Sequence, residues 1–280
     1  MKLSCADFSF PLLEHEQALA VIALLGLRGA DIGLFEGHGH LKPSRELLKP
    51  ARSGATLQRK LAAEGLQAAD IFLQLHAGFV EFAINHPDAK RQKFAREQFR
   101  RALDYAQAAG SAHITVLPGV TFDRESRATS VSRSVDQLAW RVGEAKAAKL
   151  QAAVEPHTGS LIDTPERAGD LIQRVPGLGV TLDYAHFTRA GISDARIEPL
   201  TRRATHVHAR AARRGHLQSS LKKNIIGFPR MVAALYKNRF TGWIALEYVW
   251  IDWEHCNEVD IISESIQLKK LLEAAARKIK

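Results

Sequence analysis

The chain alternates between short apolar runs and longer amphipathic segments from its first residues to its last. Apolar runs of this length, bounded by glycine, proline or polar residues, are typical of buried strands. The pattern predicts eight strands, at residues 3–10, 29–36, 66–75, 112–117, 152–155, 180–183, 205–208 and 243–248.

Helices are predicted between these strands, where apolar residues recur three and four positions apart. They cover residues 14–26, 55–64, 89–109, 130–149, 165–174, 194–200, 229–238 and 261–276. Strands that alternate with helices form parallel sheets, and eight such units are typical of a closed barrel. No linker divides residues 1–280. The predicted fold is therefore α/β, a single (β/α)8 TIM barrel.

Each of the last four strands ends in a residue that can bind a metal ion. These residues are Glu155, Asp183, His208 and Glu247. The carboxyl ends of the strands form one face of a parallel barrel, so we expect the four side chains to converge there. Three carboxylates in a dry pocket need compensating charge, because a desolvated anion is costly. A divalent cation is the simplest compensation, and the four residues are its predicted ligands.

Glu155 and Glu247 are also the predicted catalytic residues. Because strands five and eight are expected to lie across the barrel from one another, the two carboxylates would approach a substrate from two sides. Such a pair can remove a proton from one face of a carbon and return it on the other. The alternative for each glutamate is a buried ion pair with an arginine. The alternative for Asp183 is a helix cap.

Histidines cluster at the same predicted face of the barrel. Those expected to contact substrate are His40, His76, His157 and His186. A single histidine in a loop is more often a surface residue, so the prediction depends on the cluster. His186 alternatively forms a hydrogen bond behind the site. His206 lies two residues before His208 on the same strand, so both face one side and His206 is expected deeper in the barrel.

Composition restricts the location and the partners of the chain. A formal net charge of +9 suits nucleic acid or anionic metabolites. The basic residues are spread over helices, so nucleic acid is not expected. The apolar run at residues 18–27 is shorter than the roughly 20 residues of a membrane span, so no membrane association is expected either. Cys5 and Cys256 fit no thiol metal motif, which favours a reduced, cytoplasmic setting.

The ordered segments VEPH, LDYAH, HVHAR and ALEY resemble the xylose-isomerase-like TIM-barrel superfamily of sugar-phosphate isomerases and epimerases. The resemblance covers nearly the whole chain and is strongest over residues 154–248. It implies one divalent metal, commonly manganese, with magnesium, cobalt or zinc as alternatives, held by the four strand-end residues. It also implies that His186 and Arg214 contact substrate. Members often pair, so a homodimer or homotetramer is expected, with residues 250–256 as a candidate contact.

Two departures from the family pattern affect the seventh loop. Arg210 stands where an acidic residue often follows the histidine ligand, and residues 222–228 replace a glycine-rich, acidic segment. With Arg213, Arg214 and Lys222, Arg210 makes this rim basic. A phosphate or carboxylate on the substrate suits such a rim, because arginine binds these groups bidentately. A solvated basic loop is the alternative.

The predicted function is a divalent-metal-dependent isomerase or epimerase of a small sugar or keto-sugar. It would abstract a proton next to a metal-bound carbonyl and proceed through an enediolate. The main alternative is a keto-sugar dehydratase or lyase with the same site, because an enediolate can expel a leaving group. An abasic-site endonuclease is less favoured, since residues 209–228 contain no acidic residue for a three-zinc site. A barrel that binds a sugar without turnover is the non-enzymatic alternative.

Overall fold

The computed structural model describes residues 1–279 as a closed barrel of eight parallel strands in chain order. The predicted (β/α)8 fold is confirmed. The strands are β1 Lys2–Ala6, β2 Gly29–Phe35, β3 Gln67–Gln74, β4 His113–Val116, β5 Gln151–Val154, β6 Gly179–Asp183, β7 Ala204–Ala209 and β8 Trp243–Leu246.

Helices surround the barrel. They are α1 His15–Leu24, α2 Pro43–Glu46, α3 Pro50–Ala63, α4 Ala89–Ala109, α5 Arg127–Ala147, α6 Pro165–Arg174, α7 Tyr184–Arg189, α8 Asp194–Ile197, α9 Phe228–Lys237 and α10 Ile261–Arg277. The predicted bounds of α4 and α6 are confirmed, because each has a clear start: Asp88 and Thr164 accept hydrogen bonds from backbone N–H groups of the first turn. The α4 helix also has a clear end at Gly110, whose φ of 78° is left-handed.

Two differences from the predicted elements have clear local reasons, and α3 and α5 also begin earlier than predicted, at Pro50 and Arg127. The first strand ends at Ala6 rather than at residue 10, because residues Asp7–Ser9 form a 3-10 helix. The buried Asp7 carboxylate accepts a hydrogen bond from Gly33 N at 2.9 Å and pairs with His15, which holds this turn. The helix α7 was not predicted. It starts directly after β6 because the Asp183 carboxylate accepts a hydrogen bond from Ala185 N at 2.7 Å.

Strand register places the site residues at one level of the barrel. Asp183 on β6 pairs with His208 on β7, and His208 pairs with Ala245 on β8. Glu155 and Glu247 each directly follow the last residue of their strand. The site therefore occupies the carboxyl-terminal mouth, above a barrel interior whose residues are almost wholly buried. None of the helices within residues 1–279 has the length and apolar character needed to span a membrane.

Candidate metal centre

Glu155, His208 and Glu247 meet at the mouth of the barrel. His208 Nδ1 lies 2.6 Å from Glu155 Oε1 and 3.4 Å from Glu247 Oε1. One ligand atom from each residue lies within 4.8 Å of the other two, and all three side chains are buried. The two glutamates therefore converge on one imidazole nitrogen from neighbouring positions, whereas the sequence suggested that they approach from opposite sides. This arrangement can hold a single cation.

Asp183, the fourth expected ligand, falls outside this group and forms an ion pair instead. Its Oδ2 accepts a hydrogen bond from Arg210 Nη2 at 2.6 Å, while its Oδ1 caps α7. Arg210 Nη2 also lies 3.2 Å from Glu247 Oε2. Asp183 therefore caps a helix, and Glu247 has an arginine partner, which are the alternatives that the sequence left open for these two residues. Arg210 is only 4% exposed, so its charge acts inside the pocket rather than on the rim.

The pKa values of these groups follow from burial and from their mutual charges. Burial opposes the charged form of His208, but Glu247 and Glu155 outweigh it and raise the pKa of the imidazole well above its usual value. Burial likewise opposes ionisation of Glu155, yet His208 holds the pKa of that carboxyl below its usual value. Burial dominates at Glu247 and raises its pKa to about 8, despite Arg210 and His208 nearby. Three carboxylates thus share the pocket with only two cationic side chains, His208 and Arg210, and Glu247 is the carboxyl that stays protonated near neutral pH.

The residues fit a divalent cation. Glu247 Oε2 and His208 Nε2 are buried and form no hydrogen bond of acceptable geometry among the described residues, although Arg210 and Asp31 lie 3.2 and 3.4 Å away. A divalent ion would make the pocket electroneutral if His208 is neutral. The three negative charges of Glu155, Asp183 and Glu247 would then balance Arg210 and the ion. Carboxylate and imidazole donors suit manganese, zinc or cobalt, and carboxylates also suit magnesium.

A second polar layer supports the site from below. His206 lies deeper than His208, as expected, and its Nε2 is 2.5 Å from Asp31 Oδ2. Asp31 also accepts a hydrogen bond from Ser4 Oγ at 2.7 Å, and its Oδ2 lies 3.4 Å from His208 Nε2. A carboxylate behind a histidine fixes the orientation of its ring. Sequence analysis missed Asp31, although a carboxylate inside the apolar strand GADIGLF was a visible signal.

His157 and His186 lie beside the metal group. Both are buried, and their ring centroids are 4.1 Å apart. His186 Nδ1 lies 3.1 Å from Thr158 Oγ1, and its Nε2 lies 3.3 Å from Arg210 Nη2. Burial and the positive charges of His157 and Arg210 hold the pKa of His186 well below its usual value. His186 is therefore a neutral hydrogen-bonding group in the pocket wall.

The other expected substrate contacts lie farther out. His40 is half-buried, and its Nε2 is 3.2 Å from the carbonyl oxygen of Asp7. His76 is exposed and accepts a hydrogen bond from Gly78 N at 3.0 Å. Arg214 is exposed, and a Cβ atom placed on Gly191 would lie 3.0 Å from its Nε. The cation that enters the pocket is Arg210, which sequence analysis had assigned to the rim.

A family model for the xylose isomerase-like TIM barrel matches residues 19–272 of the chain. The chain belongs to this family. No curated protein matches the chain at a significant level.

Solved structures share the fold of this xylose isomerase-like barrel. A D-psicose 3-epimerase with D-tagatose from Clostridium cellulolyticum has a TM-score of 0.77 and 16% identity, covering 98% of this chain and 99% of its own. The IOLI protein with a bound zinc atom has a TM-score of 0.72 and 16% identity, covering 98% and 96%. The probable 3-DHS dehydratase AsbF of Bacillus anthracis has a TM-score of 0.71 and 15% identity, covering 96% and 99%.

Proposed function

We propose that this xylose isomerase-like barrel is a divalent-metal-dependent isomerase or epimerase of a small sugar or keto-sugar. The observation that carries the proposal is the convergence of Glu155 and Glu247 on His208 in a buried pocket at the strand ends. The similarity to a D-psicose 3-epimerase supports the substrate class.

Glu155, His208 and Glu247 would hold the metal, with Asp183 as the third carboxylate of the pocket. Manganese is the proposed ion, and the zinc atom of the similar IOLI structure makes zinc the first alternative to test. When bound, such an ion polarises a substrate carbonyl and stabilises negative charge on its oxygen.

The side chains of the chain would supply the proton transfers. In the proposal, one of the two glutamates removes a proton from the carbon beside the carbonyl, and the same or the other glutamate returns it. Arg210 holds a fixed positive charge next to both Asp183 and Glu247, and its Nε is buried without a partner in the described chain. A donor placed there can stabilise an oxygen that becomes negative during the reaction.

Substrate hydroxyl groups would bind to the histidines of the mouth. His157 and His186 are the best-supported contacts, because both are buried beside Glu155 and their ligand atoms form a group with it. His40, His76 and Arg214 lie farther out and would contact only a larger substrate or an anionic group at its distal end.

Proton exchange in heavy water tests this proposal even before the true substrate is identified. The manganese-loaded protein is incubated with a panel of keto-sugars and keto-sugar phosphates, and deuterium incorporation is followed by NMR. The proposal predicts deuterium at a carbon adjacent to the carbonyl, and incorporation at least about 10²-fold slower with Glu247→Gln. If the metal-loaded protein exchanges no proton in any of these compounds, the proposal fails.

A dehydratase is the second candidate, and the His157–His186 pair favours it. A neutral imidazole next to the site can donate a hydrogen bond to a leaving hydroxyl group, and the proton that a glutamate has removed from carbon would then pass to that hydroxyl to release water, which elimination needs and isomerisation does not. The similarity to the probable 3-DHS dehydratase supports the same chemistry. Formation of a conjugated, ultraviolet-absorbing product with loss of water would identify elimination, whereas a product of unchanged mass would identify isomerisation.

Pairing of two chains stays a prediction of the sequence. Trp250 and Trp253 are 36% and 39% exposed, which is consistent with a contact at residues 250–256. Light scattering coupled to size-exclusion chromatography measures the mass in solution. A monomer at micromolar concentration would contradict the expected pairing.

A further inference from the structure

A cavity of about 60 Å³ lies beside the barrel, between the β3 and β4 strands and the α4 and α5 helices. At roughly 10–15 Å³ per water in this measure, it has room for about four to six waters. Most of its wall is apolar and includes Leu73, Phe79, Phe82, Phe99 and Val116. None of its lining residues within the described chain is acidic.

Arg141 forms part of this apolar wall, and its hydrogen bonds within residues 1–279 go to Gln137 and to no carboxylate. Its side chain is 2% exposed. Nη1 donates to the Gln137 carbonyl oxygen at 3.0 Å and to Gln137 Oε1 at 3.2 Å, while Nε is buried without a partner. The guanidinium carbon lies 5.3 Å from the ring centroid of Phe99. A cation that contacts only neutral oxygens and the rings of Phe99 and Trp140, the latter at 5.5 Å, thus borders an apolar space.

The surroundings of Arg141 make its charge costly. Burial, together with the positive charge of Arg96, lowers the pKa of the guanidinium to about 9. A charged group removed from water is normally paired, because its desolvation is otherwise uncompensated. The neighbouring Arg96 adds to the positive charge, since its Nε bonds to the same Gln137 Oε1 at 3.0 Å.

We propose that this cavity binds a small monocarboxylic acid with a short aliphatic or aromatic body. The carboxylate pairs with the Arg141 guanidinium, which can bind it bidentately. The apolar body lies against Phe79, Phe82 and Phe99. The Arg141 end of this cavity lies away from the metal group, whereas its other end includes His157. Binding of the acid does not depend on the reaction proposed above.

The cavity reaches the loop that follows Glu155. Residues 157–160 form part of its wall, and His157 packs against both Phe79, at 4.9 Å between ring centroids, and His186, at 4.1 Å. A bound acid would therefore contact the segment that directly follows Glu155.

Calorimetric titration of the full chain with benzoate, butyrate and the neutral benzamide tests the proposal. Benzoate or butyrate is expected to bind saturably, and benzamide at least tenfold more weakly. Arg141→Met is expected to lose at least tenfold in affinity for the acid. Arg100→Met is the matched control. The guanidinium carbons of Arg141 and Arg100 lie 5.5 and 5.2 Å from the Trp140 ring centroid, but Arg100 pairs with Glu144 and does not line the cavity. Unchanged affinity in Arg141→Met, or equal binding of benzamide, would overturn the proposal.

Thermal unfolding distinguishes a binding role of Arg141 from a structural one. Without ligand, Arg141→Met is expected to be at least as stable as the wild type, because it removes an unpaired buried charge. Benzoate should raise the Tm of the wild type and of Arg100→Met but not of Arg141→Met. If neither acid binds the wild type and Arg141→Met is destabilised, Arg141 is a packing residue and the cavity has no such ligand.

Discussion

Arg210 forms a buried ion pair with Asp183, with Nη2 and Oδ2 2.6 Å apart, among the residues expected to bind a metal. Both side chains are at most 4% exposed. The pair explains why Asp183 is turned away from Glu155 and His208. It also places a permanent positive charge beside Glu247, with Arg210 Nη2 3.2 Å from Glu247 Oε2.

Loss of Arg210 should destabilise the metal-free protein. Arg210→Met leaves the Asp183 carboxylate buried and uncompensated, a change that typically costs about 3–5 kcal/mol. The additional substitution Asp183→Asn should restore part of this loss. Urea unfolding in the presence of chelator measures the free energies. The surface pair of Arg230 and Glu198 provides the control, and Arg230→Met should cost less than about 1 kcal/mol. Equal losses for the two arginine variants would contradict the buried pair.

Glu247→Gln should leave the fold intact and reduce proton exchange at least about 10²-fold. The amide keeps the shape of the side chain but cannot accept a proton, and it is a weaker metal ligand than a carboxylate. Circular dichroism and heavy-water NMR measure the two effects. Glu258→Gln is the control, because Glu258 has a 65% exposed side chain and no place in the pocket. Wild-type exchange rates in Glu247→Gln would remove this residue from the mechanism.

Divalent metal should stabilise the wild type reversibly. An ion that binds only the folded chain adds about 2.7 kcal/mol when its concentration is 100 times Kd. His208→Ala should abolish this gain, whereas His255→Ala should keep it, since His255 has a 76% exposed side chain. Unfolding in manganese, in zinc and in chelator provides the comparison. If metal still stabilises His208→Ala, the ion binds outside the group of Glu155, His208 and Glu247.

The sequence predicted the barrel and the level of the site, because both depend on local pattern. Eight apolar runs with polar ends determine the strand count, and Glu155, His208 and Glu247 meet because parallel strands end at one face. Pairings across the barrel were not predictable in the same way. Arg210 was assigned to a basic rim, yet the side chain of a residue two positions after His208 points into the mouth.

The polar layer below the site shows the same limit. Asp31, Asp70, His113 and His206 each interrupt an apolar strand, which signals a buried polar group. Their partners come from other strands, as in the 2.7 Å contact of His113 Nδ1 with Asp70 Oδ1. Side-chain alternation determines which residues face inward, but the barrel stagger determines which of them meet.

The Asp70–His113 pair should make stability depend on pH in acid. Burial opposes ionisation of Asp70, but His113 outweighs it and holds the pKa of the carboxyl below its usual value. The ionised group therefore stabilises the fold above the unfolded pKa of about 3.9, and this contribution is lost as pH falls through the lower folded pKa. Below about pH 4, the wild type should lose stability more steeply than Asp70→Asn. Urea unfolding in chelator at several pH values measures both slopes, and parallel slopes would contradict the paired carboxylate.

The location of the metal ion tests the central claim most directly. Crystals grown with manganese and measured at the manganese absorption edge give the ion position from anomalous scattering. The account predicts one ion per chain at the barrel mouth, within about 2.3 Å of oxygen or nitrogen atoms of Glu155, His208 and Glu247. A mouth without an anomalous peak at saturating manganese, or a peak bound by other residues, would contradict it.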